Sequence, residues 1–308
     1  MQAARRRADF DFTSRLGRRA EAGPRRVLPR VRPLLQFGRY LDHMGAFRTR
    51  KNDYSSRPVD GGDAVFLAKT TYDRFQQTIL GLGDVRQPST GVEAICCIFD
   101  LAGFTNFCRQ VDPHLVVPDF LSRFLDWLFE SVRKESIVRS ANAEFDDGYA
   151  LYNHLPFFAK FLGDGVLFLW DATEMDNDVA VNIGATVARI AVSYPTTFLP
   201  DVRRRVSDAP DLLRVGIARG RVFSIGNGAD YVGPCINVAS RLQKLIPGTT
   251  FCLARRGFDI EQHSELTKES LVVKKIAVRG VGDQELVCLL KYEYERLSVD
   301  DKKLLKDP

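Results

Sequence analysis

Cys97-Ile98-Phe99-Asp100-Leu101-Ala102-Gly103-Phe104-Thr105 is an apolar run that breaks at an aspartate beside small, turn-forming residues. A second stretch, Phe158-Ala159-Lys160-Phe161-Leu162-Gly163-Asp164-Gly165, does the same. A carboxylate at a strand end or hairpin tip can face a cavity while the strand behind it stays buried. Two such carboxylates on adjacent strands can share divalent cations of the Mg²⁺ or Mn²⁺ type, which take oxygen ligands and phosphate partners. The bland alternative for each is a turn aspartate. Taken as a pair, both are read as solvent-accessible metal ligands for phosphoryl chemistry with two cations.

Around these stretches the pattern alternates strands and helices. Glu93–Phe99 reads as a buried strand. A helix is expected over Asp119–Lys134, entered after Pro118, with Phe120, Leu121, Phe124, Leu125, Leu128 and Val132 inward. Residues 136–156 read as a long loop. Residues 157–162 and 166–170 read as a hairpin about Gly163-Asp164-Gly165, followed by a helix over 175–193. Residues 212–218 and 221–225 are expected to form a strand pair. A turn at Asn227-Gly228-Ala229 follows, and Pro234 opens another helix. Further strands are expected near 249–253, 272–278 and 285–290, with a short helix between the first two. This is an α+β pattern with a central, largely antiparallel sheet.

Upstream, residues 31–43 and 64–82 carry apolar residues at helical spacing, and Gly81, Gly83, Pro88 and Gly91 mark a boundary loop. The resulting division is a basic, largely disordered arm over 1–60, a helical lead-in and linker over 61–91, a main domain over 92–291, and a charged tail over 292–308.

Composition is ordinary for a globular chain: 45% hydrophobic and 27% charged over 308 residues. No stretch approaches the roughly 20 apolar residues of a membrane span, and the start lacks a secretory pattern. A cytoplasmic location is expected. Cys96, Cys97, Cys235, Cys252 and Cys288 lie in apolar runs and read as buried free thiols. Charge is uneven: residues 1–60 carry +9 of a chain total of +5, leaving −4 for the rest. A basic arm can bind nucleic acid or an anionic membrane. This one lacks the interleaved aromatics of a stacking platform and is read as a solvated tail, with no stable partner of either kind. Met44 is an alternative start, and Asp9, Asp11 and Glu21 speak against a transit peptide.

A third segment joins the two aspartate stretches: Ala229-Asp230-Tyr231-Val232-Gly233-Pro234-Cys235-Ile236-Asn237-Val238-Ala239-Ser240-Arg241. Its Asn-x-x-x-Arg spacing places both side chains on one helix face, a turn apart. In this order, the three segments resemble the catalytic domain of class III nucleotidyl cyclases, over about residues 92 to 291. The resemblance implies the ferredoxin-like cyclase fold and cyclisation of a nucleoside triphosphate with release of pyrophosphate. It makes Asp100 and Asp164 the carboxylates for two cations, Mn²⁺ or Mg²⁺, with the Leu101 carbonyl beside them. Phe104 and Thr105 would offer backbone N–H groups to the triphosphate. Asn237 would position the ribose and Arg241 steady the transition state with its planar fork. Arg279 would meet the terminal phosphates. The resemblance also implies a homodimer with composite sites, in which Asp100 and Asp164 come from one subunit and Lys160, Asp230, Asn237 and Arg241 from the other.

Lys160 and Asp230 fall on the base-selecting positions. They disfavour guanine, whose cyclases carry a Glu/Cys pair there. Adenine, cytosine and uracil can each satisfy one donor and one acceptor. Phe158, Phe161 and Tyr231 either fill the space a purine would take or are core aromatics. The wording at 99–108, 124–129 and 160–165 is similar to the pyrimidine cyclases of bacterial Pycsar antiphage systems. That favours UTP, with ATP the main rival, and a separate effector activated by the cyclic nucleotide. A degenerate domain that only binds nucleotide is the remaining reading.

Overall fold

The computed structural model describes residues 48–110, 112–137, 144, 145, 148–263 and 269–308. The disordered-arm reading of residues 1–47 and the helical reading of 31–43 lie outside them.

The chain enters through a hairpin, β1 (Ser55–Val59) and β2 (Gly62–Phe66), closed by Gly61 and Gly62 at φ of 100° and 143°. A four-residue helix, α1 (Lys69–Tyr72), and a 3₁₀ turn (Gln77–Leu80) follow. The expected helix over 64–82 is therefore not there. The two glycines turn the chain back on itself, and Val65, Tyr72 and Leu80 are exposed rather than packed.

The main sheet begins with β3 (Gly91–Ala102), which runs past Asp100 instead of ending at it. The four-residue α2 (Phe104–Phe107) and the long α3 (Pro113–Glu135) come next. Pro118 lies inside α3 rather than before it, close enough to the N-terminus to forfeit only one ladder hydrogen bond. Phe120, Phe124, Leu128 and Val132, one turn apart, form its buried stripe. The loop read over 136–156 carries a small ladder, β4 (Glu144–Phe145) with β5 (Gly148–Tyr149), and is pinched by an Ile137–Leu151 bridge.

The hairpin of β6 (Phe158–Phe161) and β7 (Gly165–Asp171) falls where the sequence places it, followed by α4 (Asn177–Thr197) and the short α5 (Leu199–Val202). The expected strand pair over 212–225 is one 14-residue strand, β8 (Leu212–Ile225). Arg219 and Gly220 do not turn, because they pair in register with Ile95 and Ala94 of β3. The turn comes later, at Gly226, Asn227 and Gly228, all at positive φ, and leads into β9 (Asp230–Val232). Then come α6 (Pro234–Leu242), β10 (Phe251–Ala254), β11 (Leu271–Val278) and β12 (Gly282–Leu290). The short helix expected between β10 and β11 falls partly on residues 264–268, outside the described residues. Residues 292–308, read as a charged tail, contain most of α7 (Lys291–Arg296) and all of α8 (Val299–Lys303). Leu305 is buried beside Leu242 and Ile276, and Lys306 bridges to Lys275.

The sheet order is β11-β12-β10-β8-β3-β7-β6, with β9 on the far end of β8. Only β10 and β8 are parallel among these pairings. The fold is α+β, with a central sheet flanked by helices.

Strand alternation divides the two faces. Ile95, Cys97, Phe99 and Leu101 join Val166, Phe168 and Trp170 under α3 and α4. An aromatic cluster seals that side: Phe120, Phe124, Trp127, Tyr194 and Phe198 meet at ring distances of 5.2–6.3 Å. Each such pair adds about 0.5–1.5 kcal/mol beyond area burial. Ala94, Cys96, Ile98, Leu167, Leu169 and Ala218 point the other way, toward α6. That helix lies close on β8, since a Cβ at Gly216 would fall 2.1 Å from the Ala239 carbonyl oxygen. By the same alternation Asp100 and Arg214 emerge on the α6 face, and that is where the polar groups gather.

Candidate active site

Asp100 sits in the last part of β3, paired with Gly165 on one side and Arg214 on the other. Gly165 is required there: a Cβ would fall 1.9 Å from the Phe99 carbonyl oxygen. The close approach draws the β6–β7 turn against β3. The Leu101 N–H donates to the Asp164 carbonyl at 2.9 Å, and Gly163, at φ 99°, makes the bend. Asp164 is thereby fixed beside Asp100.

Asp100 is only 2% exposed. This corrects the reading of two solvent-accessible carboxylates, which holds for Asp164 alone, its side chain 41% exposed. A buried carboxylate must be compensated, and Asp100 is. Arg214 Nη2 donates to its Oδ2. Lys244 Nζ lies 3.1 Å from its Oδ1. The Gln243 amide, turned with its nitrogen inward, donates to both oxygens at 3.0 and 3.3 Å. The Lys244 ammonium is also 4.0 Å from Asp164 Oδ2. One cation thus sits between the two carboxylates, while the buried Arg214 Nε has no hydrogen-bond partner among the described residues.

That arrangement answers whether the pair suits a divalent cation. The two carboxylates already converge on one positive charge. No group of three or more His, Cys, Asp or Glu suited to a metal occurs among the described residues. A two-carboxylate set suits Mg²⁺-type ions, which keep waters and take phosphate oxygens for their remaining positions. The residues fit.

The pair that the sequence reading assigns to base selection forms a second cluster. Lys160, on edge strand β6, is ion-paired with Asp230 at the start of β9. The Tyr231 N–H donates to Asp230 Oδ1 at 2.9 Å, holding the carboxylate toward the lysine. Tyr231 packs edge-on against Phe157 and Phe158, with centroids at 5.3 and 4.9 Å. Phe158 and Tyr231 belong to the packed α6-face cluster, whereas Phe161 is 47% exposed.

Asn237 and Arg241 stand exposed one turn apart on α6, which Pro234 opens after Gly233. The Arg241 guanidinium lies over the β11–β12 turn: a Cβ at Gly280 would fall 2.6 Å from its Nη1. Arg279, the residue before Gly280 in that turn, is also exposed. Neither arginine has a carboxylate partner among the described residues, so the two cations together suit an anionic ligand. On the strand side, Gly103 at φ 82° starts α2. Its carbonyl takes the Asn106 and Phe107 N–H groups. The Phe104 and Thr105 N–H groups precede the helical ladder. The Phe104 ring packs against Phe107 and Phe120, and Thr105 is exposed.

The ten sequence-predicted residues therefore fall in four groups: Asp100 with Leu101 and Asp164; Phe104 with Thr105; Lys160 with Asp230; and Asn237 and Arg241 beside Arg279. Among the described residues no hydrogen bond or ion pair between side chains joins one group to another. Sequence reasoning missed Lys244, Arg214 and Gln243. Lys244 follows Asn237 and Arg241 at helical spacing of four and then three, a signal present in the chain. Arg214 is the charged position in an otherwise apolar alternation, Leu213, Val215, Ile217.

No family model matches this sequence, and no curated protein does. Solved structures similar to it include the adenylyl cyclase CyaB from P. aeruginosa, at 15% identity and a TM-score of 0.46, covering 66% of this chain and 96% of that one. The guanylyl cyclase Cya2 matches at 17% identity and a TM-score of 0.44, over 66% of this chain and 94% of that one. The catalytic core of a rhodopsin-guanylyl cyclase with converted specificity, in complex with ATPαS, matches at 16% and 0.41, over 66% and 98%.

Proposed function

We propose that this chain is a metal-dependent nucleotide cyclase of the class III type, converting a nucleoside triphosphate to a 3′,5′-cyclic nucleotide and pyrophosphate. The observation that carries the reading is the pair Asp100 and Asp164 converging on one cation. Lys160–Asp230 supports it, as do Arg241 and Arg279, which have no carboxylate partner among the described residues.

Two cations, Mn²⁺ or Mg²⁺, held by Asp100, Asp164 and the Leu101 carbonyl would acidify the ribose 3′-hydroxyl and neutralise phosphate charge. The chain's own groups do the rest. Arg241 donates to the oxygens of the α-phosphorus as charge builds there, and Asn237 orients the ribose. Arg279 and the N–H groups of Phe104 and Thr105 hold the terminal phosphates. Lys160 donates to the base and Asp230 accepts from it, in place of their mutual ion pair. The active unit is a homodimer with composite sites, acting in the cytoplasm.

The finer reading is a uridylate cyclase that signals in antiviral defence through a separate effector. Its support is the Pycsar-like wording, with Tyr231 next to Asp230 and packed on Phe157 and Phe158 as the aromatic group on the side of the pair; Phe161 pairs with Val166 and faces the other side of the sheet. The ready-made Lys160–Asp230 pair supports the second reading, an adenylyl cyclase. Pyrophosphate release in Mn²⁺, compared between wild type and Asp164→Ala, tests the general proposal. Release by the wild type and its loss in the variant are expected. Equal release by both would reject it.

A further inference from the structure

The carboxylate pair already has a resident cation, and it belongs to the chain. The Lys244 Nζ is 3.1 Å from Asp100 Oδ1 and 4.0 Å from Asp164 Oδ2. With Arg214 on the other oxygen of Asp100, two positive charges balance two negative ones. The partners differ in freedom. The Arg214 side chain is 20% exposed and projects from the middle sheet strand β8, whereas the Lys244 side chain is 52% exposed and lies just beyond α6. An ammonium on a four-carbon stem can swing into water at little cost; a guanidinium packed under the sheet cannot.

We infer that Lys244 is a tethered counter-ion that occupies the cation position between Asp100 and Asp164 and is displaced when a divalent metal binds. It therefore weakens the site's metal affinity and holds the two carboxylates in place while no metal is bound. This rests on the cyclase reading only in taking the carboxylates as metal ligands. A divalent ion entering beside a retained ammonium would meet like-charge repulsion within a few ångströms. Leaving, the half-exposed ammonium hands the compensation of buried Asp100 to the divalent ion, so its own loss is that of an exposed pair, about 1 kcal/mol or less.

The test uses the full chain and Mn²⁺ alone, without nucleotide. Calorimetric titration of wild type and Lys244→Met should show the variant binding Mn²⁺ about fivefold more tightly, the factor corresponding to such a pair. In the wild type, amine-directed acetylation read by peptide mass spectrometry should label Lys244 faster at saturating Mn²⁺ than without it. This second measurement needs no variant to fold. Wild-type Mn²⁺ binding with unchanged or weaker affinity in Lys244→Met, or with unchanged Lys244 labelling, would overturn the inference and leave the metal site standing. No Mn²⁺ binding by either protein would instead overturn the carboxylate pair as a metal site, and the inference with it.

Discussion

Lys160 and Asp230 are ion-paired within one chain, across 70 residues of sequence. The pair ties the free edge of the sheet at β6 to the hairpin beyond β8. The lysine side chain is 45% exposed and the aspartate 14%, so the pair is open to an entering base. Lys160→Ala should cost stability about 1 kcal/mol or less. Its main effect should fall on turnover with the preferred nucleotide, whose acceptor loses its donor. Steady-state rates beside a melting curve check this. A collapse in melting temperature would mark the pair as structural.

Asp100 and Asp164 should differ in what their removal costs the fold. Asp100→Ala strips the carboxylate partner from part-buried Arg214 and should destabilise by up to about 3–5 kcal/mol. Asp164→Ala removes a half-exposed group and should leave stability within about 1 kcal/mol. Denaturant midpoints separate the two, and activity should be lost in both. Asp100→Asn is the gentler probe of chemistry.

Much of this was legible in the chain. The apolar run into Asp100, the turn at Gly163-Asp164-Gly165 and Pro234 at the start of α6 each carry a local signal; the turn and the helix formed as read, while β3 runs on past Asp100 to Ala102. Asp100 with Asp164, Lys160 with Asp230, and Asn237 with Arg241 are read from motif order, and the fold brings the members of each pair near one another. What the sequence hid was long-range. Arg219-Gly220 looks like a turn until β3 is seen pairing with it. Residues 64–82 have helical spacing, but no core lies beneath them to reward it. The burial of Asp100 depends on Arg214, Gln243 and Lys244, brought together only by the packing of α6 on β8.

Gly165 offers a sharp test of that packing. Gly165→Ala sets a methyl 1.9 Å from the Phe99 carbonyl and should destabilise severely, by several kcal/mol. Gly148→Ala, where nothing lies within 4 Å, serves as the control and should be nearly neutral. Thermal unfolding of both decides it, and equal melting temperatures would contradict the register at Asp100.

The buried thiols give a pH signature. Burial pushes Cys96, Cys97 and Cys252 well up from an ordinary value near 9, Cys235 to about 11 and Cys288 to about 12. In the unfolded chain these thiols ionise near pH 8.5. Their protonated burial therefore favours the fold fully below that pH, and the benefit declines as pH rises toward 11–12. Iodoacetamide at pH 8 should label half-buried Cys108 first and the other five only on unfolding, read by intact mass. Melting temperature should fall between pH 8 and 10. Fast labelling of Cys96 or Cys97 in the folded protein would contradict their burial on the two faces of β3.

The proposed composite sites make a symmetry prediction. Inactive Asp164→Ala and inactive Arg241→Ala subunits, mixed and exchanged, should recover up to roughly one quarter of wild-type activity, because each mixed dimer holds one intact site. No recovery despite proven exchange would place all catalytic groups on one chain.

The central claim is the reaction itself. Purified protein incubated separately with ATP, GTP, CTP and UTP in Mn²⁺, with products identified by mass spectrometry, tests it most directly. The account predicts a 3′,5′-cyclic mononucleotide with equimolar pyrophosphate, fastest from UTP. Cyclic AMP formed much faster than any pyrimidine product would overturn the base assignment alone. No cyclic nucleotide from any of the four, from folded and metal-loaded protein, would contradict the account as a whole.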